Sequence, residues 1–287
     1  GLNTGNEDIK KSFSARTGIR FNPQSSLMIS FNESISSNIN GYSIDIRSTT
    51  RDYIGFGSYL SKGFPFSNWS FRVGGLEKIS FIKPYANSMS IEHSFSGKQN
   101  LSWKFNEEGI MPINLFSISS FENGNNDYLQ FSRISRSFSP LIGISTTFKN
   151  GISTNLRSNI THTLDEVANG LTYISDNSIL ATLTYNFSKG IRFPLPFSER
   201  NIYLRNNMNI SLNLDFSNKT EEGSKDKINF VEQNFTNTQK SILRITYTLT
   251  DDITGSLFYE YRQTDTRLTG RRIDRDFGIN LNVAIRG

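Results

Sequence analysis

Bond-making chemistry in this chain would have to come from two histidines and a few carboxylate clusters, because its 287 residues include no cysteine. That absence excludes disulfides, thiolate metal sites and cysteine catalysis. His93 lies between Ile91 and Phe95, and His162 between Ile160 and Leu164, each in the apolar phase of an alternating stretch. A general base needs a nucleophile and an orienting partner in reach. Neither setting offers them, so both histidines read as structural or interfacial. Glu107-Glu108 and Glu221-Glu222 are adjacent carboxylates. Strand neighbours point to opposite faces, so adjacency does not make a catalytic pair. The tip Gly270-Arg271-Arg272-Ile273-Asp274-Arg275-Asp276 is dense in mixed charge, which suits a solvated loop or contact with anionic lipopolysaccharide or a partner protein. No phosphate-cradling glycine loop or metal-ligand cluster is present in the sequence. The expectation is a non-enzyme with no cofactor and no metal.

The elements that would carry these groups are strands. From Asn207 to Ser217 every second residue is apolar. The phase Met208, Ile210, Leu212, Leu214, Phe216 alternates with Asn207, Asn209, Ser211, Asn213, Asp215. The pattern returns with Leu243, Ile245, Tyr247, Leu249 against Arg244, Thr246, Thr248. It returns again with Phe277, Ile279, Leu281, Val283, Ile285 against Asn280 and Asn282. A period of two fits a strand with one greasy and one wet face. Globular strands peak at about 5–6 residues, whereas these run for roughly ten, the length a tilted strand needs to cross a bilayer. The spacing therefore predicts an antiparallel transmembrane β-barrel, the apolar phases facing lipid and the polar phases the lumen. A large soluble β-sandwich or β-helix is the alternative that the pattern leaves open.

Composition agrees with a barrel and excludes a helical membrane protein. Hydrophobic residues are 36% and mean hydropathy is −0.42, with no apolar run near the roughly 18–20 residues of a spanning helix. A polar lumen face lowers such averages. The 23 Phe and 11 Tyr would furnish interfacial girdles, although both residues also simply suit strands. The net charge of +5 is spread over polar phases instead of gathered in a block, so nucleic-acid binding is not expected. The chain begins at Gly1 without Met; the expectation is a mature exported chain or a piece of a longer one.

Other strands follow the same period. Phe13, Ala15, Thr17, Ile19 and Phe21 share a phase, and Asn22-Pro23-Gln24 makes a turn. Asn40-Gly41 and Asn150-Gly151 are hairpin dipeptides, and Asp251-Asp252 is a third tight connection. Pro112 to Phe121 and Tyr128 to Phe138 read as strands, and Gly74 to Ile79 as a helical turn or tucked loop. The total comes to about fourteen strands in one barrel region over residues 1–287. Asp165 to Asn177, Asn218 to Gln239 and Thr264 to Asp274 read as long polar loops. Short turns on one side and long loops on the other are the barrel's asymmetry. The last two of these loops are expected at the cell surface. Lys189 to Asn201, with Pro194 and Pro196, is long for the short-turn side.

Some of these stretches are also familiar as sequence. Trp69-Ser70-Phe71-Arg72-Val73-Gly74-Gly75-Leu76-Glu77-Lys78-Ile79, followed by Ser88 to Phe95, resembles the C-terminal part of the SprA (Sov) family. So do Phe138-Ser139-Pro140-Leu141-Ile142-Gly143-Ile144, Phe148-Lys149-Asn150-Gly151-Ile152 and the ending Asp276 to Leu281. The likeness runs from about Trp69 to the end and rests on strand and turn patterns. It implies the outer-membrane translocon of the type IX secretion system of gliding bacteria, a single-chain barrel exporting folded proteins. The implied partners are outer-membrane lipid, a small barrel of the PorV type, a periplasmic plug protein and the secreted cargo. The largest known barrel has about 36 strands, more than 287 residues can build. The resemblance thus implies a C-terminal segment of a longer protein, the alternative being a short relative that closes a smaller barrel alone. A passive porin, a surface-structural barrel and, further off, a barrel hydrolase are the other function classes.

Overall fold

A computed structural model describes residues 6–40, 43–104, 129–167, 170–187, 191–194, 201–204, 206–250 and 252–284. It is all-β and antiparallel. In chain order the strands are β1 (Asn6–Asn22), β2 (Ser25–Asn40), β3 (Ser43–Phe56), β4 (Lys62–Pro65), β5 (Asn68–Gly74), β6 (Ala86–Lys104), β7 (Leu129–Phe148) and β8 (Ile152–Val167). There follow β9 (Gly170–Phe187), β10 (Ile191–Pro194), β11 (Asn201–Leu204), β12 (Met208–Ser224), β13 (Val231–Thr250), β14 (Ile253–Thr266) and β15 (Gly270–Val283). Thirteen of them form one meandering sheet; β10 and β11 pair only with each other. The described strands number fifteen, close to the expected fourteen, but the sheet is open. Neither β1 nor β15 has a neighbour on its outer edge among the described residues.

One position in the sheet is filled twice. β2 pairs with β3 through Glu33 to Asn40 and with β5 through Ser26 to Ser30. β6 pairs with β5 through Ser90 to Phe95 and with β3 through Lys98 to Lys104. β2, β3, β6 and β5 thus make a closed ring of pairings, because β3 and β5 share the lane between β2 and β6. The chain leaves this lane after Asp52, makes the β3–β4 hairpin with its 3₁₀ turn at Ser58–Leu60, and re-enters at Asn68. Leaving the sheet strands backbone donors on both sides, and a buried unpaired donor is costly. Side chains fill the gap: Asp52 accepts from the Asn32 backbone at 2.8 Å, and Asn68 Oδ1 accepts from the Gly97 backbone at 2.8 Å. A Cβ on Gly97 would lie 1.9 Å from the Tyr53 carbonyl oxygen, so the crossing chain requires glycine there.

Of the turns read from sequence, those at Pro23-Gln24 and Asn150-Gly151 are present, while Gly41 and Asp251 in the other two lie outside the described residues. Pro23-Gln24 joins β1 to β2, and Gly151 takes a left-handed φ of 87° between β7 and β8. Leu76–Lys78 is a 3₁₀ turn. The long polar loops are a correction. β8 runs to Val167 and β9 starts at Gly170; β12 runs to Ser224 and β13 starts at Val231; β14 and β15 are joined by Arg267 to Thr269. Ladder hydrogen bonds are made by backbone groups, so hairpins continue where side chains are polar on both faces and the period of two disappears. The Lys189 to Asn201 connection holds β10, which pairs with β11 beginning at Asn201. The expected strand Pro112 to Phe121 lies outside the described residues, as does Tyr128, the first residue of the next.

Candidate membrane belt and polar face

Residues directly opposed in an antiparallel pair share a face, so the register shows which phases meet. Met208, Ile210 and Leu212 oppose Phe187, Tyr185 and Leu183 on β9 and Tyr247, Ile245 and Leu243 on β13. That row continues through Gly255, Leu257 and Tyr259 on β14 to Leu281, Ile279 and Phe277 on β15. Leu214 and Phe216 extend it upward beside Ala181 and Ile179. Val283 opposes Ile253, one pair below. A Cβ built on Gly255 would touch both Leu249 and Leu281, placing Leu249 on this face too. Ile285 lies outside the described residues. The three apolar phases chosen from sequence therefore belong to one face.

The band they form crosses the strands obliquely. From Thr17, the middle of the apolar phase of β1, direct partners run Ile29, Trp69, Phe95, Phe138, Ile160, Asn177, Asn218, Asn237, Asp265 and Arg271. The apolar phase of β8, Ile152 to Leu164, is centred on Ser158, two residues from that row; that of β12 is centred on Leu212, six away, and that of β15 on Leu281, ten away. Ten strand-to-strand steps thus bring a drift of ten residues. One residue per strand, at about 3.4 Å rise and about 4.8 Å spacing, means strands tilted by about 35° to the band's normal. Five alternating residues span about 27 Å along a strand, or about 22 Å after that tilt. Membrane barrels have strands tilted 35–45° and an apolar band about 25 Å tall.

Among the described residues much of this band from β8 to β15 is open, although Met208 is buried at 6%. Leu183 is 42% exposed, Tyr259 41%, Phe277 65% and Ile279 72%. Contiguous apolar surface of this extent marks contact with lipid or another molecule.

The opposite face is wet. Asn209, Ser211 and Asn213 oppose Asn186, Thr184 and Thr182 on β9 and Thr246, Arg244 and Ile242 on β13. Asn280 and Asn282 oppose Ser256 and Thr254, and Thr248 also opposes Thr254. Thr182 donates to Asn213 Oδ1 at 3.0 Å. Asn207 precedes β12, and its carbonyl accepts from the Thr248 backbone at 3.1 Å. Asp215, Lys240, Arg262 and Asp274 stand directly across from one another. Farther along, Glu92 is bracketed by Arg157 at 3.2 Å and Arg72 at 3.7 Å. These pairs are solvated and individually weak. What they establish is that charge at the height of the apolar band occupies the other face. Leu180, Ile242 and Phe258 are apolar interruptions there, Phe258 beneath the Arg244 guanidinium at 5.9 Å. A trough of 710 Å³ with serine, threonine and arginine walls runs along this face from Arg20 on β1 to Thr184 on β9.

Above the band, the face that carries the band is covered by the β3–β4 hairpin. Leu60 is 1% exposed, and Arg136 donates to the Gly55 carbonyl at 3.3 Å. Tyr59 stacks on Phe230 with ring centres 3.8 Å apart. His162 lies beneath, its Nδ1 2.7 Å from Arg136 Nη2; the guanidinium can only donate, so that nitrogen accepts. His93 Nδ1 is 2.6 Å from the Leu141 carbonyl, with its ring between Trp69 and Phe138. Glu221 and Glu222 lie in β12 instead of a loop; Glu107 and Glu108 lie outside the described residues. Sequence reading missed this covered region. Its signal was the pair Gly55 and Gly57 with Pro65, which loosens a strand without saying where the chain goes.

No family model matches the chain, and no curated protein matches it either.

Proposed function

We propose that this chain is an arc of the wall of a large outer-membrane β-barrel, with the apolar band against lipid and the polar face toward the lumen. The observation that carries the reading is the oblique band: a stagger that averages one residue per strand from β1 to β15 is what a tilted barrel wall requires. A second observation supports a wall larger than these strands. Counting β3 and β5 as one lane, β1 and β15 are an even number of antiparallel steps apart, so they run in the same direction. They cannot pair antiparallel with each other, and closure takes an odd number of further strands. Barrel diameter grows with strand number, and a wide lumen suits folded cargo. With the resemblance to the SprA (Sov) family, the barrel is read as the protein-conducting channel of type IX secretion, working with a PorV-type barrel, a periplasmic plug and its cargo. Depleting the protein should strand proteins bearing the system's C-terminal signal in the periplasm. Normal secretion under depletion would overturn the translocon reading and leave the barrel reading standing, with a passive porin as its role.

A further inference from the structure

On neighbouring strands the apolar phase turns to carboxamides or a carboxylate just above the band. Ile179 gives way to Asn177 on β9 and Phe216 to Asn218 on β12; on β13 and β14 the phase has reached Asn237 and Asp265. The register places these four directly across from one another in one row. They line a recess of 530 Å³, completed by Gln239 and Gln263 and floored by Phe216 and Ile179. Phe216 is 43% exposed and Ile179 49%, so the floor is open to whatever lies against the belt. Asn237 Oδ1 is shielded from solvent and accepts no hydrogen bond.

We propose that this recess binds the sugar headgroup of an outer-leaflet glycolipid whose acyl chains lie on the belt beneath. The proposal rests on reading that belt as lipid-facing. Carboxamides present donors and acceptors together without charge, which matches a hydroxyl-bearing ring. Asp265 is the only charged group lining the recess among the described residues; it accepts from hydroxyls and disfavours a phosphate. Arg271, opposite it, is already engaged with Gln263 Oε1 at 2.6 Å. The exposed Phe216 ring offers a face to sugar C–H groups, and the belt below holds the lipid, so affinity needs both ends of the molecule.

The test compares the parent protein with the near-isosteric double variant Asn218→Leu/Asn237→Leu. Both are reconstituted in phosphatidylethanolamine vesicles with and without rough-type lipopolysaccharide, floated, extracted in mild detergent, and assayed for retained glycolipid by native mass spectrometry. The double variant should float and melt like the parent yet retain about tenfold less lipopolysaccharide, the effect of losing two hydrogen-bonding side chains. Equal retention would overturn the site while leaving the belt intact. Failure of both proteins to float would instead overturn the belt reading, and the site with it. If only the double variant fails to float, Asn237→Leu alone carries the comparison, since it removes an acceptor that has no protein partner.

Discussion

Phe95 and Ile279 occupy the same face of the same sheet, yet Phe95 is 2% exposed and Ile279 72%. Around Phe95, Trp69 stacks at 4.1 Å and Phe138 packs at 5.2 Å, and the β3–β4 hairpin rises immediately above. Around Ile279 the strand edge is open and the face bare. One region has built a protein core and the other has left its apolar side chains to the surroundings. Apolar alternation therefore marks which face avoids water but not what covers it. In a soluble sandwich both regions would be cores. In a barrel wall only the part beyond the bilayer would need a protein cover, and on the proposed reading the hairpin is that cover.

Cavity formation separates the two regions most sharply. Leu60→Ala removes a fully buried side chain that packs at Gly55, and should cost about 2–5 kcal/mol, because protein relaxes only partly into the space. Leu183→Ala on the belt should cost about 1–2 kcal/mol, the transfer term alone, since lipid flows into the gap. Urea unfolding in vesicles reads both. Equal losses would mean that Leu183 also lies in a protein core.

Charge gives the next effect. Leu212→Arg places a guanidinium on the lipid side near the middle of the belt and should cost about 2–4 kcal/mol. Asn213→Arg, one residue along, stays hydrated among Thr182 and Ile242 and should cost far less. A spin label at Leu212 should respond to oxygen dissolved in lipid, and one at Asn213 to a water-soluble nickel reagent. A Leu212 label shielded from both would end the lipid assignment.

Gly97→Ala tests the exit of the hairpin. Its methyl group would meet the Tyr53 carbonyl at 1.9 Å, where backbone and not a flexible side chain has to move, for about 1–3 kcal/mol. The loss should come with faster amide exchange at Phe66, whose N–H bonds to the Asp52 carbonyl at 3.2 Å, while exchange on β13 and β14 is unchanged. Uniform loosening of the sheet would show that the hairpin is not a separate unit.

How much of this was legible follows from what periodicity can carry. Met208 to Phe216 announced both its strand and its apolar phase, because nine residues of strict alternation admit no helix. The tight turns at Pro23-Gln24, Asn150-Gly151 and Asp251-Asp252 were equally plain. The upper halves of β12 and β13 were not: Asn218 to Ser224 is polar on both faces, so a paired strand and a loop look alike. The shared lane of β3 and β5 was invisible, since Asp52, Asn68 and Gly97 are ordinary strand-end and strand residues until register places them together. The recess at Asn177, Asn218 and Asn237 was hidden for the same reason: three asparagines far apart in sequence meet only through strand pairing. Ser224 belongs to the stretch expected as a surface loop, but it is 4% exposed and bonded to Asp226, whereas Leu268 in the β14–β15 turn is 88% exposed.

The smallest effect belongs to the β12–β13 tip, whose Phe230 stacks on Tyr59 of the hairpin. The Asp226 carboxylate accepts from the Asn229 backbone at 2.8 Å, the Ile228 backbone at 3.0 Å, the Asn229 side chain at 2.6 Å and the Ser224 hydroxyl at 2.9 Å. Those hydrogen bonds, the Asn229 backbone first, hold its pKa well below the usual carboxylate range. A depressed folded-state pKa gives stability that is complete above the unfolded value and is lost as pH falls through the folded one. Protection of the Ile228 and Asn229 amides from exchange should therefore persist through the ordinary titration range of aspartate and fail only in stronger acid. In Asp226→Asn, which accepts through a single uncharged oxygen, protection should be weaker at neutral pH and indifferent to acid. Because the group is at the surface, the belt and the hairpin core should not respond to either change. Protection that disappears at the ordinary aspartate pKa would mean that the tip is not held by this carboxylate.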